Sequence, residues 1–106
     1  MTTEEFNNLL DNEIIPAITA MRNAGQKEYA QDKDEVFANF IRSGNQVDIP
    51  ADKALMVFLL KHIDGISAYI QGHKSQREEV SGRITDAIVY LLLLRGMVED
   101  NNEINK

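Results

Sequence analysis

Two apolar stretches of the chain are each interrupted by a pair of charged residues, Lys61 and Asp64 in the first and Arg83 and Asp86 in the second. A charged side chain in the apolar surface of a helix is costly unless it is paired or binds a ligand. If the two stretches form antiparallel helices, one register places Lys61 opposite Asp86. The same register places Asp64 opposite Arg83. We therefore predict two ion pairs, within one chain or across a subunit boundary, at a place where a ligand could also bind.

Basic residues gather around these positions in an otherwise acidic chain. Lysine and arginine hold phosphate oxygens by charge-assisted hydrogen bonds, and the first turn of a helix offers unpaired backbone donors to an anion. This pattern favours a site for a phosphate-bearing small molecule, with a solvated charged loop and a hydrogen-bonded core histidine as the plainer alternatives. The candidate ligand-binding residues are Lys61, His62, His73, Lys74, Arg77 and Arg83.

Acidic residues near the same positions allow a second chemistry. Magnesium sites on helices use several carboxylates three or four residues apart, because hard cations prefer oxygen ligands. The candidate metal ligands are Asp64, Glu79 and Asp86, with Glu78 beside them. Since Lys61 and Arg83 stand at neighbouring positions, pairing of the acids with these two cations is the favoured interpretation. No metal or other cofactor is predicted, and magnesium is required only under a catalytic alternative.

Composition excludes several other classes of protein. The chain has no cysteine, so disulfides, zinc–thiolate sites and cysteine nucleophiles are impossible, and a reducing cytoplasm is the expected location. None of its serines lies in a G-x-S-x-G setting. A formal net charge of −6 argues against general binding of nucleic acid, which needs a basic face. The longest apolar run is far shorter than the roughly 20 residues that span a membrane.

The elements that must position these residues are predicted to be helices. Thr2 and Glu5 have the spacing of a capping box, and the helix that follows contains Pro16, where we expect a kink or a break into two helices. A shorter helix is predicted over residues 32–42, with Gly44 as its C-terminal cap. No strand-like alternation is present, so the chain is predicted to be all-α with about four helices.

The centre of this fold is predicted to be an antiparallel hairpin of two helices, over residues 50–71 and 76–95. Ser75 and Glu78 have the spacing of a second capping box at the start of the last helix. Residues 1–98 are assigned to a single domain and residues 99–106 to a polar tail. The segment 87–94 is apolar on every side, which in so small a domain points to a homo-oligomer interface at or above it.

The second of these helices carries a resemblance to a known family. The residues from Glu79 to Leu93 resemble the E-x-x-D-x-x-x-Y-x-x-x-L helix of MazG-like all-α nucleotide pyrophosphatases, and residues 61–64 stand where those enzymes carry E-x-x-E. The residues that also resemble a pattern in small phage-encoded proteins are Lys27-Glu28-Tyr29, Phe37-Ala38-Asn39-Phe40, Lys61-His62 and Arg83-Ile84-x-Asp86. The resemblance implies a nucleotide-handling helical fold that usually oligomerises, and it adds Lys27 and Tyr29 to the candidate ligand-binding residues.

The departures from the family pattern direct the functional prediction. In its active members the resemblance implies magnesium held by four acids, but Lys61 and Arg83 replace two of them here. Cations at these positions repel magnesium and attract phosphate. We predict a phosphate- or nucleotide-binding protein, such as a phage-encoded anti-defence factor that sequesters a host signalling nucleotide. The alternatives are a magnesium-dependent nucleoside triphosphate pyrophosphatase and a protein–protein interaction module whose charges only set helix register.

Overall fold

The computed structural model describes residues 1–30 and 34–104, and all regular structure within these ranges is helical. The elements are α1 (Thr3–Leu9), a π-helical turn (Leu10–Ile14), α2 (Ile15–Gly25), a second π-helical turn (Gln26–Ala30), α3 (Ala38–Gln46), α4 (Ala51–Ile70) and α5 (Val80–Ile104). The first four follow one another without a break and form one continuous helical segment. The described residues therefore contain four helical segments, which confirms the all-α prediction.

The N-terminal helix begins as its capping box predicts and passes Pro16 without a break. Glu5 N–H donates to the Thr2 hydroxyl at 3.0 Å, and Thr2 N–H donates to the Glu5 carboxylate at 3.1 Å. Before the proline, the Ile15 N–H donates to the Leu10 carbonyl, five residues earlier. Proline cannot donate to the preceding turn, and a π-helical turn at that place changes the pairing without ending the helix.

Helix α3 lies further along the chain than predicted, at Ala38–Gln46 instead of residues 32–42, of which residues 32 and 33 lie outside the described ranges. Gly44 is inside this helix and buried, so it is not the cap. Its carbonyl accepts hydrogen bonds from Val47 N–H at 3.1 Å and Ile49 N–H at 3.0 Å. A Cβ on Gly44 would lie 2.4 Å from the Ile49 carbonyl oxygen, so the glycine is needed for this close approach.

The core lies where α3 and α5 pack on α4. Its buried centre contains Phe40, Ala54, Leu55 and Met97. Helix α4 packs on both α5 and α3, and α5 also packs on α2. Helices α2 and α3 thus contact the long α4–α5 pair, and the residues that carry charge in α4 and α5 are positioned by this packing.

Helix α5 differs from its predicted bounds at both ends. It begins at Val80, so Ser75 and Glu78 lie in the connection after α4 and do not cap it. It continues through Gly96 to Ile104, so most of the predicted polar tail is helical, and residues 105–106 lie outside the described ranges. The helix continues through Gly96, where the ring of Phe37 would lie 3.2 Å from an added Cβ.

None of the described helices combines the length and the apolar character that a transmembrane span needs.

Candidate functional site

Neither predicted ion pair forms within the described chain. Asp86 lies opposite His62, with 3.8 Å between His62 Nε2 and Asp86 Oδ2, whereas Lys61 and Asp64 are exposed. Successive helical residues are about 100° apart around the axis, so only one of the neighbours Lys61 and His62 can face α5. The buried Leu55 belongs to the same inward side as His62, seven residues earlier. The predicted register is therefore wrong by one residue.

Arg83 lies against α4 without an acidic partner at salt-bridge distance among the described residues. Its side chain crosses Gly65, where an added Cβ would lie 2.7 Å from Arg83 Cδ, Nε and Cζ. Arg83 Nε donates to Gln76 Oε1 at 3.0 Å, and Gln76 Nε2 donates to the Gly65 carbonyl at 2.7 Å. The connection after α4 thus returns through Gln76 to hold the guanidinium in place, and Gly65 provides the space for it.

A histidine and two carboxylates converge beside Arg83. One ligand atom from each of His62, Glu78 and Asp86 lies within 4.8 Å of the other two. Ligands of a divalent cation lie roughly 2.0–2.6 Å from it, so two on opposite sides are up to about 5 Å apart. One imidazole nitrogen and two carboxylate oxygens therefore fit a divalent cation such as Mn²⁺ with further positions open. We call these three residues the carboxylate–histidine cluster.

Electrostatics within the cluster centre on Asp86. Burial raises the pKa of the Asp86 carboxyl above its ordinary value of 3.8, and this is the largest effect. His62 lowers that pKa, Glu78 raises it and Arg83 lowers it. The Nδ1 atom of His62 is buried and has no hydrogen-bond partner. Folding therefore holds a carboxylate in partly desolvated surroundings, which is typical of a binding site and costs free energy.

Asp86 also lines an open cleft of about 260 Å³ beside α2, α3 and α5. Its other lining residues are Met21, Arg22, Ala24, Gly25, Gln26, Glu28, Val36, Asn39, Phe40, Val89, Tyr90 and Leu93. The wall is mainly apolar, with polar groups at a few places. Asp86 is thus the residue shared by the cleft and the carboxylate–histidine cluster.

Aromatic rings connect the cleft to the core. Tyr90 stacks on Phe58 with ring centroids 6.3 Å apart, and the His62 ring lies 5.6 Å from Tyr90. Phe40 meets Tyr90 edge-on at 5.9 Å. Phe40 and Tyr90 pack against each other and both line the cleft.

The basic residues of the loop after α4 lie apart from the carboxylate–histidine cluster. Lys74 Nζ donates to the Tyr69 carbonyl at 2.8 Å and stands 3.7 Å above the Tyr69 ring. It therefore stabilises the C-terminal end of α4, where a cation is favourable. His73 and Arg77 are exposed in this loop.

The remaining predicted residues do not join the cluster. Lys27 is exposed in the second π-helical turn, and the side chain of Tyr29 lies outside the described part of the chain. Asp64 and Glu79 do not join the cluster, and the acid that meets Asp86 is Glu78, whose side chain is itself exposed. Of the predicted ligand-binding residues, the structure brings together His62 and Arg83.

The cleft contains residues that sequence reasoning missed. Arg22 and Gln26 come from the helical segment before α3, and Asn39 comes from α3. Arg22 and Gln26 belong to no motif, and Asn39 belongs only to the Phe37-Ala38-Asn39-Phe40 resemblance. Only the packing of α2 on α5 and of α3 on α4 shows that these residues line a cleft with Asp86. Glu78, by contrast, stands among the carboxylates that the sequence predicts to converge near the hairpin, although its spacing from Ser75 also indicates a helix cap.

Comparison with protein-family models, curated proteins and solved structures finds no match to this chain in any of the three.

Proposed function

We propose that this protein binds a phosphate-bearing nucleotide where the cleft meets the carboxylate–histidine cluster. The observation that carries the proposal is the position of Asp86, which lines the cleft and belongs to the cluster. A pocket with an apolar wall and a few converging polar groups, one of them with a perturbed pKa, is the usual form of a small-molecule site.

The cleft suits the base and sugar of such a ligand. Its volume of about 260 Å³ is close to the lower limit of roughly 300 Å³ for ligand pockets. Tyr90 offers aromatic surface to a base, with the buried Phe40 packed behind it, and Arg22 offers a cation at the wall. The nucleoside would lie between α2, α3 and α5, with its phosphates directed to Asp86.

Phosphates cannot approach two carboxylates without a positive charge between them. His62, Glu78 and Asp86 would hold a divalent cation, which supplies that charge when bound. Arg83, held by Gln76, supplies a second positive group close to Asp86. Lys61 is exposed and outside the cluster, so we leave it out of the proposed contact set.

We also infer that α4 and α5 form the antiparallel hairpin of a MazG-like fold. Contacts between the two helices run in opposite directions along the chain: Phe58 with Tyr90, His62 with Asp86, and Gly65 with Arg83. This order supports the hairpin. Two family acids remain, and one of them, Asp86, lies in the proposed site and supports the resemblance, whereas the other, Asp64, is exposed and outside the cluster.

Equilibrium dialysis against a panel of linear and cyclic nucleotides tests the binding proposal, with Mn²⁺ or with chelator. Glu78→Gln is expected to weaken cation-dependent binding by roughly tenfold or more, because metal sites lose affinity when a ligand is removed. Glu79→Gln is the matched control, because Glu79 is next to Glu78 in the chain and is also exposed but lies outside the cluster. Absence of binding in every condition, or equal loss in both variants, would contradict the proposal.

A second test compares the two cations near the site. Arg83→Ala is expected to weaken nucleotide binding, because Arg83 lies between α4 and α5 close to the cluster. Lys61→Ala is expected to leave binding unchanged, because Lys61 is exposed and lies outside the cluster. Equal effects of the two substitutions would mean that the phosphates lie on the exposed side of α4.

A second candidate function is metal-dependent pyrophosphate hydrolysis, which the carboxylate–histidine cluster favours because such chemistry needs a cation to neutralise phosphate charge. Chromatography of the nucleotide after incubation with protein and Mn²⁺ separates the two functions. A monophosphate product favours hydrolysis. Intact nucleotide, depleted from solution and recovered after heat denaturation, favours sequestration, the role proposed for a phage-encoded factor.

A further inference from the structure

The long helices expose apolar side chains in two regular rows. On α4 the row contains Met56, Ile63 and Ile70, and on α5 it contains Ile84, Leu91 and Val98, with successive members seven residues apart. These six side chains are between 43% and 74% exposed. Along the chain, Leu60 lies between Met56 and Ile63, and the half-buried Ile88 lies between Ile84 and Leu91. We call these eight residues the open face.

Both rows lie on the same side of the helix pair. Members of each row follow residues that face the other long helix, as Ile63 follows His62 and Leu91 follows Tyr90. One residue further along a helix turns the side chain by about 100° around its axis. Seen along the helix axes, one helix runs toward the viewer and the other away, so this rotation is clockwise in one and anticlockwise in the other. Because the two inward directions also point at each other, both rotations move the rows to the same side of the pair.

The opposite side of the pair is the one that α2 and α3 cover. Ala54, which precedes the inward Leu55, is buried in the core with Phe40 of α3. Val89, which precedes Tyr90, is buried at the cleft wall beside α2. Residues 1–30 and 34–104 thus cover one side of the central helix pair and place no layer over the open face.

We propose that a second copy of this chain covers the open face, so that two α4–α5 pairs form a four-helix bundle. The seven-residue repeat on both helices is the repeat by which helices interlock in bundles. A face made of two equivalent rows can pack on an identical face about a twofold axis.

The size of the open face and the net charge of the chain favour this occupant. All members of the open face except Ile88 are about half exposed or more, and these seven large apolar side chains present on the order of 600 Å². This area is near the roughly 800 Å² per partner of a standard interface. An anionic lipid surface is a poorer occupant, because it attracts basic residues and is repelled by an acidic protein.

Light scattering after size exclusion tests the proposal at tens of micromolar protein. The wild-type chain is expected at twice its mass of 12.0 kDa or at a higher multiple. Leu91→Asp is expected to yield a monomer that keeps its helical circular dichroism. Ile15→Asp is the control, because Ile15 on α2 is 48% exposed, close to the 51% of Leu91, and lies outside the open face. A monomeric wild-type chain, or association that survives Leu91→Asp, would overturn the proposal.

Cysteine cross-linking keeps the test independent of the charged variant. The chain has no cysteine, so single substitutions report only the engineered position. Among Leu60→Cys, Ile63→Cys and Leu91→Cys, at least one is expected to give a disulfide-linked dimer under mild oxidation. Ile15→Cys is expected to remain monomeric on a non-reducing gel. Cross-linking at Ile15 alone would place the contact elsewhere and contradict the proposed face.

Discussion

Asp86 shows how the site departs from what is best for stability alone. Its carboxyl lies half-buried on the inward side of α5, where burial raises its pKa above 3.8. His62, opposite it, keeps a buried Nδ1 without a hydrogen-bond partner. Polar groups in such surroundings cost free energy unless a ligand repays it. At the scale of single residues, this pair is what the proposed ligand site rests on.

The raised pKa predicts how stability depends on pH. Because the folded chain takes up the Asp86 proton more readily than the unfolded chain, this group favours folding most below about pH 3.8. That contribution is lost as pH rises through the raised pKa. Asp86→Asn is therefore expected to melt at a higher temperature than wild type at neutral pH in the absence of divalent cations, with the difference shrinking in acid.

Melting curves of wild type and Asp86→Asn between about pH 3 and pH 7 measure this effect. Asp64→Asn removes an exposed carboxylate on the neighbouring helix α4 and serves as the control. A variant that is less stable than wild type at neutral pH would show that the contact of Asp86 with His62 outweighs the cost of burial.

Gly65 provides the space in which the side chain of Arg83, the proposed phosphate contact, lies against α4. An added Cβ would lie 2.7 Å from three atoms of the flexible Arg83 side chain, which can move aside. Gly65→Ala is therefore expected to break the contact of Arg83 with Gln76 and weaken nucleotide binding several-fold, with little change in melting temperature. Gly82→Ala, where nothing lies within 4 Å, is the control. Unchanged binding in Gly65→Ala would remove Arg83 from the site.

At the scale of elements, the turn between α3 and α4 depends on a backbone contact. Gly44 places its Cα against the Ile49 carbonyl, and Asp48 between them has a φ of 61°. The rigid backbone cannot yield as the Arg83 side chain can. This connection fixes how α3 lies on α4, and hence where Phe40 and Asn39 enter the cleft.

Gly44→Ala is expected to lower the free energy of unfolding by roughly 1–3 kcal/mol, the usual cost of overpacking. Gly82→Ala, in open space on α5, is expected to raise it by about 0.5–1 kcal/mol, because alanine favours a helix interior over glycine. Urea denaturation of both variants measures the two changes. A neutral Gly44→Ala would mean that the turn rearranges without cost.

At the scale of the whole molecule, the two proposed surfaces lie on opposite sides of the α4–α5 pair. The cleft lies where α2 and α3 pack, and the open face lies on the uncovered side. Each surface can therefore be removed without the other. Leu91→Asp is expected to abolish self-association and retain nucleotide binding within about twofold. Glu78→Gln is expected to retain self-association and weaken nucleotide binding.

Light scattering and equilibrium dialysis on the same two variants measure both properties. Loss of nucleotide binding on dissociation would show that a second copy completes the site, and would join the two proposals into one. A single phenotype for both variants would contradict the separation of the two surfaces.

The sequence alone determined the helical class, the capping box at Thr2 and the extent of α4 to within about one residue. These features depend on local spacing of apolar, capping and proline residues, which a linear reading contains. It also marked residues 61–64 and 83–86 as the polar interruptions from which His62, Arg83 and Asp86 come.

The tertiary structure decided which of these residues meet. A shift of one residue in the pairing of α4 and α5 exchanges Lys61 for His62, because each step turns the side chain by about 100°. Which register wins depends on packing along the whole pair, from Met97 to Gly65, and not on the charges of one turn. The same packing brings Arg22, Asn39 and Asp86 to the walls of one cleft, an arrangement of distant segments that no local pattern contains.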